Sequence, residues 1–192
     1  LYVNDGRGLF EDRSIPSGIA AVSRSKTGFG VGWIDYDNDG WLDLLVLNGA
    51  VLSIPDLARQ GDPYPLGMAN DLLRNRGDGT FAVESERGGE AFARAEVGRG
   101  AAFGDVDNDG DHDVLVTNNN GPARLLLNRV GSARPWVGLR LVTGRGRDAL
   151  GARVEVIRRD GPSLWRRAGT DGGYCSARDP RVLVGLGSAA DV

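Results

Sequence analysis

Apolar positions along the chain come in short bursts separated by Asp/Gly-rich breaks, with no sustained helical period. Phe29, Val31 and Trp33 alternate with smaller residues, an aspartate-rich loop follows, and LDLLVLN (42–48) resumes as a largely apolar run. Alternation followed by a short apolar run is a strand pattern. Segment 71–84 reads strand, Asn-Arg-Gly-Asp-Gly, strand, with glycines where a tight hairpin needs positive φ. The pattern predicts four strands at 29–34, 43–48, 71–75 and 80–84. Residues 50–70 read as an insertion, with one helical turn at 55–60 behind Pro55.

The pattern repeats. Segment 28–49 aligns with 98–119 at an offset of 70 without gaps and shares eleven of 22 residues. LYVNDGRGLF (1–10) matches LLRNRGDGTF (72–81), and LLLN at 125–128 is an abbreviated third copy. A four-stranded unit recurring at fixed spacing is the sequence form of a β-propeller blade. The fold expected is all-β: a partial propeller over 1–130, with one full blade and parts of two, followed by a small all-β module over 134–192. In that module 136–142, 152–156 and 182–186 read as strands. The chain begins in mid-blade, ends soon after Gly187 and has Met68 as its only methionine, so it reads as a fragment with a truncated module.

Composition sharpens this picture. Gly and Pro number 30 and 8 in 192 residues, a density of breakers that disfavours helical bundles. No stretch approaches 18 apolar residues, so no membrane span is expected. A lone Cys175 excludes an internal disulfide framework. The net charge of −3 conceals an asymmetry, −8 over residues 1–130 against +5 over 131–192. Nine of the 20 aspartates fall within 35–43 and 105–113, which points to a local cause such as a cation.

Those clusters share the pattern DxDxDGxxD. In the first, Asp35, Asp37, Asp39 and Asp43 occupy positions 1, 3, 5 and 9; in the second, Asp105, Asp107, Asp109 and Asp113 do. Oxygen ligands at alternate positions let a short loop wrap a hard cation, and glycine at position 6 permits the reversal. The carbonyl at position 7, from Trp41 or Asp111, adds a fifth oxygen. Calcium accepts six to eight such ligands in flexible geometry, so two Ca2+ sites are expected. The EF-hand reading fails because Val46 and Val116 stand where position 12 requires Glu, and because strands flank the loops.

The repeats resemble FG-GAP (VCBS-type) repeats, and LLRNRGDGTF with DYDNDGWLDLLV resembles bacterial members of the cartilage acidic protein-like family. RDALGARV (147–154), GYCS (173–176) and GLG (185–187) resemble motifs of the ASPIC/UnbV domain. The resemblance implies a calcium-binding scaffold or interaction protein, extracellular or at the cell surface, with a protein or glycan as ligand. It implies as an alternative an accessory protein in enediyne-type natural-product biosynthesis.

Other signals have plainer readings. Arg76-Gly77-Asp78 occupies a hairpin turn, and His112 lies at a non-ligand loop position. With one histidine and one cysteine, no nucleophilic triad or zinc site can be composed, and no catalytic constellation is expected. The Arg-rich module lacks the aromatic interleaving of a single-stranded nucleic-acid binder. Docking of the basic module onto the acidic repeats, or solvation of its strand faces, accounts for its charge better.

Overall fold

The computed structural model describes residues 1–159 and 161–188. Two four-stranded sheets dominate, and the chain makes strands β1 (Tyr2–Asn4), β2 (Phe10–Asp12), β3 (Gly28–Ile34), β4 (Asp43–Asn48), β5 (Met68–Ala69), β6 (Asp71–Asn75), β7 (Phe81–Val83) and β8 (Ala95–Glu96) before the second begins. The first sheet has the order β3-β4-β6-β7 and every neighbouring pair is antiparallel. All four strands expected from the first repeat are present, within two residues of their bounds. The N-terminal copy of the hairpin unit pairs β1 with β2. A helical turn at Pro55–Arg59 follows Pro55 as expected.

The second sheet is built on β9 (Gly98–Gly104), β10 (Asp113–Asn118) and β11 (Arg124–Leu126). Its register repeats that of the first, down to an irregularity. Pairing slips between Gly28 and Val31 in β3, and between Thr117 and Asn118 opposite Gly98 and Gly100 of β9. The Gly-x-Gly at the start of each first strand marks the slip, as glycines inside strands commonly do.

The two sheets share a core. Leu45 and Leu47 of β4, Ile34 of β3 and Leu72 of β6 pack with Ala101, Phe103, Val114 and Val116 of the second sheet. Leu44 and Leu73 lie in a separate cluster with Ile19, against which Val46, Phe81 and Leu1 pack. Strand β4 is therefore apolar on both faces, which is why LDLLVLN reads as a run without alternation. Leu47 is fully enclosed, and burying such a side chain stabilises by about 1.5–3 kcal/mol.

The remainder supplies β12 (Trp136–Leu139), β13 (Arg153–Val156), β14 (Leu164–Arg167), β15 (Ala177–Arg178) and β16 (Val182–Gly185). Its strands pair β12 with β16 and β13 with β14 over a core of Val156, Leu164, Ala168, Val182, Val184 and Leu186. Three of its strands lie where the alternation predicts them. Strands β14 and β15 carry no such signal, because LWRR and AR are too short and too basic to read as strands. Strand β15 runs parallel to β9 and completes the second sheet in the order β11-β10-β9-β15, so this segment docks directly on the repeats. Among the described residues no helix is long and apolar enough to cross a membrane.

Candidate metal centre

Each aspartate loop joins the first two strands of its sheet. Asp35 follows the end of β3 and Asp43 opens β4; Asp105 follows β9 and Asp113 opens β10. Gly40 and Gly110, at position 6, have φ of 94° and 91°, the left-handed conformation the spacing calls for. Asn38 and Asn108, at position 4, are also left-handed, at 53° and 60°. Asn tolerates this conformation better than most side chains.

The loops bring three carboxylates together. Ligand atoms of Asp35, Asp37 and Asp39 lie within 4.8 Å of one another, and so do those of Asp105, Asp107 and Asp109. Oxygens bound to one calcium at 2.3–2.6 Å can be at most about 5 Å apart, so both clusters fit a single ion. Within the first, Asp35 Oδ1 and Asp37 Oδ1 are buried with no hydrogen-bond partner among the described residues. A buried carboxylate oxygen left bare is costly, and a bound cation is the direct remedy. Burial raises the Asp35 carboxyl to about 6, against the pull of Arg166, and also raises that of Asp39.

Asp43 and Asp113 stand apart from the two clusters. Asp43 is fully buried, and its two oxygens accept the backbone N–H groups of Tyr36 at 3.1 Å and Asn75 at 2.8 Å. Asp113 repeats this with Val106 and Asn128, both at 2.8 Å. Position 9 thus braces the loop and ties it to the third strand of the sheet, or to the residues just after it. Desolvation pushes the Asp43 carboxyl up to about 8, countered by those two backbone hydrogen bonds. The Trp41 N–H donates to Asp39 Oδ1 at 2.9 Å and the Asp111 N–H to Asp109 Oδ1 at 3.2 Å. The Asp111 side chain is buried, with Oδ2 accepting Ser132 N–H at 2.9 Å and its carboxyl pushed up to about 7 by desolvation.

The two loops differ in what covers them. Across the first lies the C-terminal segment: Arg166 reaches Asp35 Oδ2 at 3.4 Å and the Gly40 carbonyl at 2.9 Å, and Arg134 reaches Asp37 Oδ2 at 3.2 Å. Gly187 N–H donates to the Asn38 carbonyl at 2.9 Å. Asn38 Nδ2 in turn donates to the Gly110 and Gly131 carbonyls at 3.1 and 3.0 Å, joining the first loop to the second. The second loop is more open. Asp107 is exposed, and Arg181 reaches only the Asn108 side chain and the Asp105 carbonyl, each at 2.9 Å.

Sequence reading missed Asn38, Arg134 and Arg181, and placed Arg166 only within the basic module expected to dock or be solvated. The signal for Asn38 was its recurrence as Asn108 at the same loop position; nothing in sequence marked Arg134 or Arg181 individually. His112 contributes to neither cluster, and desolvation, with Arg178 and Arg166 nearby, lowers its imidazole to about 4. In the hairpin turn, Asp78 Oδ1 accepts Thr80 N–H at 2.9 Å and closes its own loop.

Residues 54–116 match the family model for the FG-GAP-like repeat, and residues 142–192 match that for ASPIC and UnbV. The chain therefore carries both family signatures that its motifs predict. Cartilage acidic protein 1 of Homo sapiens is 43% identical over 58 residues, which cover 30% of this chain and 9% of that protein. The chain thus aligns with less than a tenth of that relative's length.

Proposed function

We propose that this chain is part of a calcium-stabilised β-propeller-type interaction scaffold that works outside the cell or at its surface. Residues 1–130 supply blade-like sheets, and the described residues from 134 onward form a module clamped across the first cation loop. Asp35, Asp37 and Asp39 hold one Ca2+, and Asp105, Asp107 and Asp109 a second, with the Trp41 and Asp111 carbonyls and the Asp43 and Asp113 carboxylates completing the sets. A carboxylate oxygen has two lone pairs, so bracing a backbone N–H and ligating an ion are compatible. The observation that carries this reading is the pair of bare, buried oxygens on Asp35 and Asp37 within a cluster of three carboxylates. The matches to the FG-GAP-like repeat and to ASPIC and UnbV support a scaffold rather than a catalyst. Loops of this kind suit the millimolar calcium of extracellular modules, which supports the location.

Calcium acts here by binding the folded state alone. At 100 times its dissociation constant it stabilises by about 2.7 kcal/mol. In a chain of this size that is a rise in melting temperature of about 5–10 °C. Melting with chelator and then with restored calcium tests the proposal. An unchanged melting curve, with no heat in a calcium titration, would overturn it.

A further inference from the structure

Beside the first metal loop a cleft of about 320 Å³ opens between the repeats and the C-terminal segment. That volume is at the lower end of small-molecule pockets. Its walls are unusually basic. Arg153, Arg166, Arg167, Arg178 and Arg181 line it against two carboxylates, Asp171 and Asp179. The acids are already engaged: Asp171 pairs with Arg167, and Asp179 with Arg181 at 2.8 Å. Two guanidinium groups, those of Arg153 and Arg178, are in no ion pair among the described residues, and Arg166 pairs with Asp35 of the first loop rather than with an acid of the cleft. Arg153 lies over the Trp165 ring at 4.9 Å and has no carboxylate partner among the described residues. Among the described residues the Arg178 guanidinium makes one hydrogen bond, from Nη2 to the Trp33 carbonyl at 3.3 Å. Arg166 turns Nη2 to Asp35 and Gly40.

The decisive feature is the pair of guanidinium N–H groups left over. Arg166 Nε and Arg178 Nε are both buried, and neither has a hydrogen-bond partner among the described residues. The Arg166 side chain is 9% exposed, so this donor is nearly shut off from solvent. His112, also in the wall, leaves Nδ1 buried and unpartnered. Buried donors without partners are expensive, and guanidinium forks match the geometry of oxyanions. The remaining walls include Trp33 and Trp165, 37% and 49% exposed, whose indoles supply apolar area beside the guanidinium groups.

We propose that this cleft binds an acidic saccharide, with a uronate carboxylate or sugar sulfate held by Arg166 and Arg178 and the sugar ring against Trp33 and Trp165. The cleft borders the cation loops, with Leu42 and His112 in its wall and Arg166 facing Asp35, while its oxyanion donors belong to the C-terminal segment; binding is therefore measured with and without calcium, so that the two proposals fail separately. Titration of the full chain with a glucuronate-containing disaccharide, its neutral counterpart and inorganic sulfate, at constant ionic strength, reads the result. The acidic disaccharide binds at least tenfold more tightly than either of the others, and Arg178→Gln weakens it by about tenfold. Arg153→Gln, at an exposed position, weakens it severalfold and serves where Arg178→Gln alters the melting curve. Equal binding of inorganic sulfate and the acidic disaccharide would overturn the saccharide assignment. Absence of binding by all three, or binding indifferent to both substitutions, would overturn the site.

Discussion

The backbone N–H of Gly185 donates to Asp35 Oδ2 at 3.2 Å, joining two residues 150 positions apart. The same oxygen accepts the Gly40 N–H at 3.0 Å and faces Arg166 at 3.4 Å. One carboxylate oxygen thus closes its own loop and receives the C-terminal segment, leaving Oδ1 as the oxygen free for a cation. This makes docking of the segment and cation binding parts of one arrangement. The GLG motif is the docking element, since Gly187 adds its own bond to the Asn38 carbonyl.

Gly185 has to be glycine for this contact to exist. A Cβ there would lie 2.3 Å from Asn38 Cα and 2.4 Å from its carbonyl carbon, both backbone atoms that cannot swing aside. Gly185→Ala therefore pushes β16 off the first loop and destabilises the chain by about 1–3 kcal/mol, the usual cost of overpacking. Denaturant melts measure that loss. A calcium titration of the same variant shows weaker binding at one site and leaves the other unchanged.

Asp37 and Asp43 have different duties, and calcium separates them. Asp43→Ala strands two part-buried N–H groups, those of Tyr36 and Asn75, whether or not an ion is present. Each stranded donor costs about 1–3 kcal/mol, so this variant is destabilised in chelator as well as in calcium. Asp37→Ala removes a carboxylate whose Oδ1 makes no hydrogen bond among the described residues and whose Oδ2 pairs with the half-exposed Arg134. Its penalty appears in calcium and largely vanishes in chelator. Melting both variants in both conditions gives four values, and equal behaviour of the two in chelator would refute the division.

Asn38→Ala tests the link between the two loops. Asn38 and Asn108 share the left-handed conformation, so alanine imposes a similar backbone cost of about 1–2 kcal/mol at each. Only Asn38 is buried and spans to the Gly110 and Gly131 carbonyls. Asn38→Ala is accordingly worse than Asn108→Ala by a further 1–3 kcal/mol or about that, the cost of leaving buried polar groups unpaired. Asn38→Gly, which relieves the conformational part, recovers less than half of the loss. Urea unfolding of the three variants supplies the comparison.

The parts legible in sequence are those written locally. Strand positions in the repeats follow from alternation, the loop from its spacing, and the reversal at Gly40 and Gly110 from one residue type with one conformational property. Leu45 and Leu47 were visible as apolar, though not that they face the second sheet. What was not legible depends on partners far away in the chain. LWRR has no apolar period, and it becomes β14 because Leu164 is buried in the C-terminal core while Arg166 is drawn to Asp35. Ala177–Arg178 is a strand only because the edge of β9 is there to receive it. The basic excess of residues 131–192 signalled docking in general, and the residues that carry it were fixed by the fold.

Arg166 gives the sharpest test, because its removal has opposite effects on stability and on calcium affinity. Its side chain and that of Asp35 are 9% and 1% exposed, so the pair is shielded from solvent. Without calcium, Arg166→Gln leaves the Asp35 charge buried with only backbone N–H groups to offset it. Breaking a buried pair in this way costs about 3–5 kcal/mol. With calcium, the ion itself neutralises Asp35, and the guanidinium beside it is a like charge that opposes binding. Its removal therefore tightens calcium at the first site, by about threefold or more at an intermediate effective dielectric. The variant is less stable than the parent in chelator, and the gap narrows as calcium is added. Calorimetric titration and melting on the same preparations read both effects. Weaker calcium binding by Arg166→Gln would mean that the arginine shapes the loop for the ion instead of competing with it.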